Sequence, residues 1–177
     1  AMMGYWNNPE ETAKALDGDG WVRTGDVGVI DHDGYLQITD RKKDIIVNSG
    51  GDNISPQRIE GILMLEPEIA QAMAHGDGHP HLVALIVPDE GFVAEWAKAN
   101  GRAPDLADLA DDADFRKAVG AAVERVNKSL SQIEKVRRFA IARTPFTVDN
   151  DLMTPTMKVR RHKVRELYGA ELEGLYR

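Results

Sequence analysis

Residues 82–87 (LVALIV) are apolar at every position, and no other stretch constrains the fold as strongly. A strand wet on one face alternates apolar and polar residues, whereas an uninterrupted apolar run needs cover on both faces. Ile69–His75 is its natural partner, across the turn Gly76-Asp77-Gly78-His79-Pro80. Residues 136–142 read as a third strand.

Helices are expected around these strands. Ser55-Pro56 caps one whose Ile59, Ile62 and Leu63 share a face, and Pro67 ends it. Phe92, Val93, Trp96 and Ala97 mark a second, stopped at Asn100-Gly101. Phe115, Val119, Ala122, Val126 and Leu130 recur at helical spacing, and Val164, Leu167, Tyr168, Leu172 and Leu175 place a last helix. Residues 104–114 are small and acidic, a solvated loop or a short helix, and residues 143–157 read as loop. The sum is an α+β domain, with a central three-stranded sheet plus a hairpin, flanked by helices.

The N-terminal stretch is different. Asn8-Pro9-Glu10-Glu11 starts a short helix that should end at Asp17-Gly18, and residues 27–30 and 35–38 flank the turn Asp31-His32-Asp33-Gly34 as a β-hairpin. About 40 residues cannot bury a core of their own. The first residue offers no start signal, so this hairpin reads as the remnant of a larger neighbouring domain. A burst of charge, Asp40-Arg41-Lys42-Lys43-Asp44, then links it to a strand at Ile45-Ile46-Val47 and to a Ser49-Gly50-Gly51 turn. Such a link suits a place where two bodies swivel. The expected division is 1–39 for the end of the large domain, 40–45 for the hinge and 46–177 for a mobile domain.

Several function classes fall away on composition. The chain has no cysteine, so disulfide, thiolate and zinc–cysteine chemistry are out. No apolar run approaches the roughly 20 residues that span a bilayer. A net charge of −7 argues against general nucleic-acid affinity. Yet ten basic residues against five acidic ones follow from Lys135 onward, which fits either an anionic ligand at the C-terminal end or a solvated helix face.

Four constellations carry chemistry. Asp26, after Gly25 and before a strand, can accept hydrogen bonds from a ribose diol or cap a turn, and spacing alone favours the turn. Gly50 and Gly51 let a backbone approach a ligand or simply form a hairpin. His75, His79 and His81, set among glycines and a proline, read as exposed hairpin residues, and no metal is expected. Lys158, closing Leu152-Met153-Thr154-Pro155-Thr156-Met157, can neutralise developing carboxylate or phosphate charge, or be one more surface lysine.

Taken in order, Gly4-Tyr5-Trp6 with Asn8-Pro9-Glu10-Glu11-Thr12, Arg23-Thr24-Gly25-Asp26, Asp40-Arg41-Lys42-Lys43-Asp44-Ile45-Ile46 with Ser49-Gly50-Gly51, and Thr154-Pro155-Thr156-Met157-Lys158 resemble the successive C-terminal motifs of the adenylate-forming superfamily. That superfamily includes acyl-CoA synthetases, luciferases and carrier-protein adenylation domains. Residues 76–88 and 152–161 look most like long-chain fatty acyl-CoA synthetases. The resemblance implies a ligase that joins a fatty acid to CoA through an acyl-adenylate, consuming ATP with Mg2+. It makes Lys158 the adenylation lysine and assigns Asp26 to the ribose hydroxyls, Arg41 to the nucleotide, and Gly50 and Gly51 to the face shown in thioester formation. Asp40 and Lys43 become the hinge, whose charged groups should keep both orientations solvated. The implied partners are a large N-terminal domain, fatty acid, ATP and CoA, with no nucleic acid. The implied location is cytoplasmic, with peripheral contact at the inner membrane surface left open. The fragment alone should be inactive. Loading of a carrier protein is the alternative acceptor chemistry, and a non-catalytic binding module is the alternative of another class. Two departures stand out: many relatives have glycine where Met157 stands, and Gln57-Arg58 replaces the commoner small-residue-then-acid pair.

Overall fold

The apolar run is the middle strand of a three-stranded sheet in the computed structural model, which describes residues 2–177. We number the elements in chain order. The first of two structural units, Ala1–Asp44, holds α1 (Pro9–Ala15) and the hairpin β1 (Asp26–Ile30) and β2 (Leu36–Arg41). The second, Ile45–Arg177, holds β3 (Ile46–Val47), β4 (Asn53–Ile54), α2 (Pro56–Leu63), β5 (Ile69–His75), β6 (Leu82–Pro88), α3 (Glu90–Ala99), α4 (Leu106–Leu109), α5 (Ala113–Asn127), β7 (Val136–Ile141) and α6 (Arg161–Gly174).

In the second unit β6 pairs antiparallel with β5 (Met73 opposite Leu85) and parallel with β7 (Leu85 opposite Ala140). Every side chain of β6 is buried, as its composition demands. Alternation then splits the strand between two cores. Leu82, Ala84 and Ile86 join Ile59 and Leu63 of α2, and Phe115, Val119 and Val126 of α5. Val83, Leu85 and Val87 face the other way, onto Val164, Tyr168 and Leu172 of α6. Phe146, Leu152 and Met153 complete this second core, so the aperiodic stretch before α6 is loop in geometry but core in packing. At roughly 1.5–3 kcal/mol for each large side chain buried, these two layers hold the stability of the unit.

The helix signals are honoured locally. Ser55 Oγ accepts from the Arg58 amide with Pro56 in the first turn, and Asp112 caps α5 through the amides of Asp114 and Phe115. The small acidic stretch forms the single turn α4, capped by Asp105.

The first unit has no core. Among its described residues only Asp40 is buried, while Trp6, Trp21, Ile30, Tyr35 and Leu36 are largely exposed. The helix α1 stops at Ala15, before the expected Asp17-Gly18. There the Asp17 carboxylate accepts from the amides of Asp19 and Trp21, turning the chain back so that Leu16 bridges Val22. β2 continues past Ile38 into the charged link, through Asp40 and Arg41.

Candidate functional site

In the first unit, strand register brings two of the expected nucleotide contacts together. Asp26 and Arg41 are cross-strand partners in the β1–β2 ladder, and Arg41 Nε lies 2.7 Å from Asp26 Oδ1. Arg41 Nη1 also donates to the Thr24 carbonyl at 3.3 Å, and Asp26 N donates to Thr24 Oγ1 at 3.1 Å. Gly25, at φ +73°, supplies the turn into β1, and its carbonyl accepts from Lys42 N. A carboxylate has about four acceptor sites, so one guanidinium leaves Asp26 able to receive a diol.

The hinge residues part company. Lys43 is exposed, but Asp40 is only 3% exposed. This corrects the expectation of a fully solvated pivot. Asp40 Oδ1 accepts from the Arg41 amide at 2.7 Å, while its buried Oδ2 has no hydrogen-bond partner among the described residues. An unsatisfied buried oxygen costs about 1–3 kcal/mol.

In the second unit, Asn48 builds the glycine turn. Its Oδ1 accepts from the amides of both Gly50 and Asp52 at 2.9 Å, and its Nδ2 donates to Asp52 Oδ2 at 3.0 Å. Gly51 sits at φ +85°, a conformation that favours glycine. The turn joins β3 to β4 and leaves Gly50 and Gly51 exposed, with the Ser49 amide donating to the His79 carbonyl at 2.9 Å. Sequence reading passed over Asn48, although an Asn opening a glycine turn is the usual signal for such a side-chain-to-backbone bond.

Lys158 stands on a loop fastened at both ends. Met153 and Val159 form an antiparallel bridge, and Leu152 and Met153 are buried in the second core. Within the tip, Thr154 N donates to the Lys158 carbonyl at 2.8 Å, and Lys158 N donates to Thr154 Oγ1 at 3.1 Å. Beyond it, Arg161 pairs with Glu60 at 2.5 Å, both side chains nearly buried, and Glu60 also accepts from the Ala74 amide. Arg160 pairs with Asp151, and Lys163 with Glu166. The basic run is therefore largely spent on internal pairing. Lys158 is exposed, and no hydrogen bond or ion pair holds its ammonium among the described residues.

Met157 explains its own oddity. Its φ is +60°, in the left-handed region where glycine is at ease and other L-residues are strained. The glycine expected there from the family resemblance would suit this backbone, and here an exposed methionine adopts it. The Gln57-Arg58 pair has a partial account: Arg58 forms an ion pair with Glu134, which tethers α2 to the segment before β7. Burial opposes charge on Glu134, but hydrogen bonds from Ser131 and Arg58 outweigh it and lower its pKa.

The expected histidine arrangement also changes. His75 and His79 are part-buried, because Glu173 and Tyr176 at the end of the chain lie against them. Among the described residues no helix is long and apolar enough to cross a membrane.

Residues 43–177 match the family described as the AMP-binding enzyme C-terminal domain. The long-chain-fatty-acid–CoA ligase FadD15 of Mycobacterium tuberculosis is 41% identical over 177 residues, covering 99% of this chain and 29% of that protein. The long-chain-fatty-acid–CoA ligase 1 of Cavia porcellus is 38% identical, covering 99% of this chain and 26% of its own length. The chain thus spans less than a third of these relatives. Among solved structures, the adenylation domain of a carboxylate reductase from Mycobacterium chelonae superposes with a TM-score of 0.84 at 28% identity, over 98% of this chain and 26% of that one. The corresponding domain from Segniliparus rugosus, in complex with AMP and a co-purified carboxylic acid, gives 0.81 at 28% identity, over 98% and 26%.

Proposed function

Because the chain belongs to the family of AMP-binding enzyme C-terminal domains, we propose that it completes an ATP-dependent long-chain fatty acid–CoA ligase. The reaction is fatty acid, ATP and CoA to acyl-CoA, AMP and diphosphate, through an acyl-adenylate. The curated relatives named above support the acid–thiol ligase reading. The observation that carries it is the Lys158 ammonium, unpaired at the tip of a loop whose other basic groups are mostly neutralised.

In the first step the fatty carboxylate attacks the α-phosphorus of ATP, and diphosphate leaves. Negative charge is shared between carboxylate and phosphate oxygens as the bond forms. A lysine with no resident counter-ion can stabilise that charge in the transition state more than in the ground state. Mg2+ would arrive with ATP as part of the substrate. The Asp26–Arg41 pair would hold the nucleotide, Asp26 accepting from the ribose hydroxyls and Arg41 donating through its remaining N–H groups. In the second step the CoA thiolate attacks the acyl carbonyl and AMP leaves. Rotation about Lys43 would withdraw Lys158 and present Gly50 and Gly51, whose lack of side chains admits the narrow pantetheine arm. The division of the chain between Asp44 and Ile45, beside Lys43, supports that pivot.

The test uses the full-length ligase. Lys158→Ala should slow ATP-dependent adenylate formation by about 10²–10³-fold, the loss seen when one transition-state donor is removed. Thioester formation from supplied acyl-AMP should be spared. Equal loss in both half-reactions would contradict the role given to Lys158.

A second reading has its own support, since the two structural neighbours named above are adenylation domains of carboxylate reductases. In that case the acceptor would be the thiol of a carrier protein. Acyl transfer to free CoA, measured beside transfer to a phosphopantetheinylated carrier, separates the two.

A further inference from the structure

We propose that His75, His79 and Glu173 form a binding site for a divalent transition-metal ion of the Zn2+ class, separate from the groups assigned to ligation. His75 Nε2 lies 3.1 Å from Glu173 Oε1, and His79 Nε2 lies 3.2 Å from Glu173 Oε2. All the ligating atoms fall within 4.8 Å of one another. Zinc bonds of about 2.0–2.1 Å in a tetrahedron set ligand atoms about 3.3–3.4 Å apart, which the two His–Glu173 separations nearly match already.

The residues come from distant places. His75 ends β5, His79 lies in the turn before β6, and Glu173 arrives on α6. Their frame is fixed independently of any ion. The Tyr176 ring stacks on His79 with centroids 3.8 Å apart and planes 7° from parallel. The Tyr176 hydroxyl donates to the His75 carbonyl at 3.1 Å. Between the two histidines, Gly76 has no room for a Cβ, which would meet Leu82 Cδ2 at 2.6 Å, and Gly78 takes φ +72°.

Donor chemistry selects the ion. Two imidazoles and one carboxylate suit Zn2+ and its neighbours, whereas Mg2+ and Ca2+ prefer oxygen ligands. His81 is not a third nitrogen ligand in this scheme. Its Nε2 is buried with no hydrogen-bond partner among the described residues. Without an ion, the imidazole N–H groups can instead donate to Glu173. Binding then requires both Nε2 lone pairs, with any ring proton held on Nδ1. Because the His79 carbonyl accepts from Ser49 N, a bound ion would brace the Ser49-Gly50-Gly51 turn against α6.

The experiment is calorimetric titration of the 177-residue chain with ZnCl2 and, separately, MgCl2, paired with thermal melts. One Zn2+ per chain and no measurable Mg2+ are expected. A hundredfold excess over Kd should raise the melting midpoint by roughly 5–10 °C. Glu173→Gln should weaken Zn2+ binding at least tenfold, and His75→Asn with His79→Asn should abolish it. His162→Ala, an exposed histidine outside the cluster, should bind as the parent does. Melts in EDTA show whether each variant folds, and Glu173→Gln, at a half-exposed position, keeps the test open should the double variant unfold. Unchanged binding in Glu173→Gln would overturn the site. So would equal affinity for Mg2+, or the lack of any Zn2+-dependent shift in the parent.

Discussion

Asp26 and Lys158 are held in place by different means. Asp26 and its partner Arg41 are set by the register of a two-stranded hairpin with no core beneath it. Lys158 and the Asn48-built glycine turn belong to a unit with a fully buried strand between two apolar layers. On the proposed mechanism, groups withdrawn and presented together would need a body that keeps its shape while it moves. Groups that stay with the nucleotide would then rest on strands braced by another surface. The exposed Trp6, Trp21, Ile30, Tyr35 and Leu36 are what a hairpin awaiting such a surface would display.

The largest effects should fall on the cored unit. Leu85→Ala empties a position buried on the second face of β6, and thermal or denaturant melts should record a loss of about 3–5 kcal/mol. Arg161→Met removes the nearly buried Arg161–Glu60 ion pair beside the base of the Lys158 loop. We expect a loss of about 3 kcal/mol, which would show that the loop is anchored by this pair as well as by packing. Met157→Gly acts in the opposite direction. Relief of the left-handed backbone at φ +60° should stabilise the unit by about 0.5–1 kcal/mol in the same melts, net of the entropy that glycine brings to the unfolded chain. At the far end of the comparison, Ile30→Ala in the hairpin should change stability by no more than about 0.5 kcal/mol, because its side chain is already 73% exposed. A large loss there would mean that the first unit has packing of its own.

What could be read from residues alone follows the same division. The apolar run of β6 announced a doubly covered strand because alternation is the signature of a wet face and this run has none. The helix starts at Ser55-Pro56 and Asn8-Pro9 were legible because caps are local. Burial by contact across the fold was not. Phe146, Leu152 and Met153 have no periodicity to betray that they fill a core, and Asn53–Ile54 is too short to register as a strand. The buried Asp40 lies inside a charge run that composition marks as solvent-facing. Glu173 lies 98 residues from His75 in sequence, so no spacing rule could have joined them. Lys158 itself looked like one of several basic residues. The ion pairs of Arg160, Arg161 and Lys163 remove three of its basic neighbours from consideration.

The claim that residues 45–177 form a self-sufficient body is tested most directly by producing them without the first unit. Thermal unfolding of 45–177 should remain cooperative, with a midpoint within about 2 °C of the 177-residue chain, since the described core residues all lie beyond Asp44. Loss of cooperativity, or a midpoint lower by 10 °C or more, would contradict it.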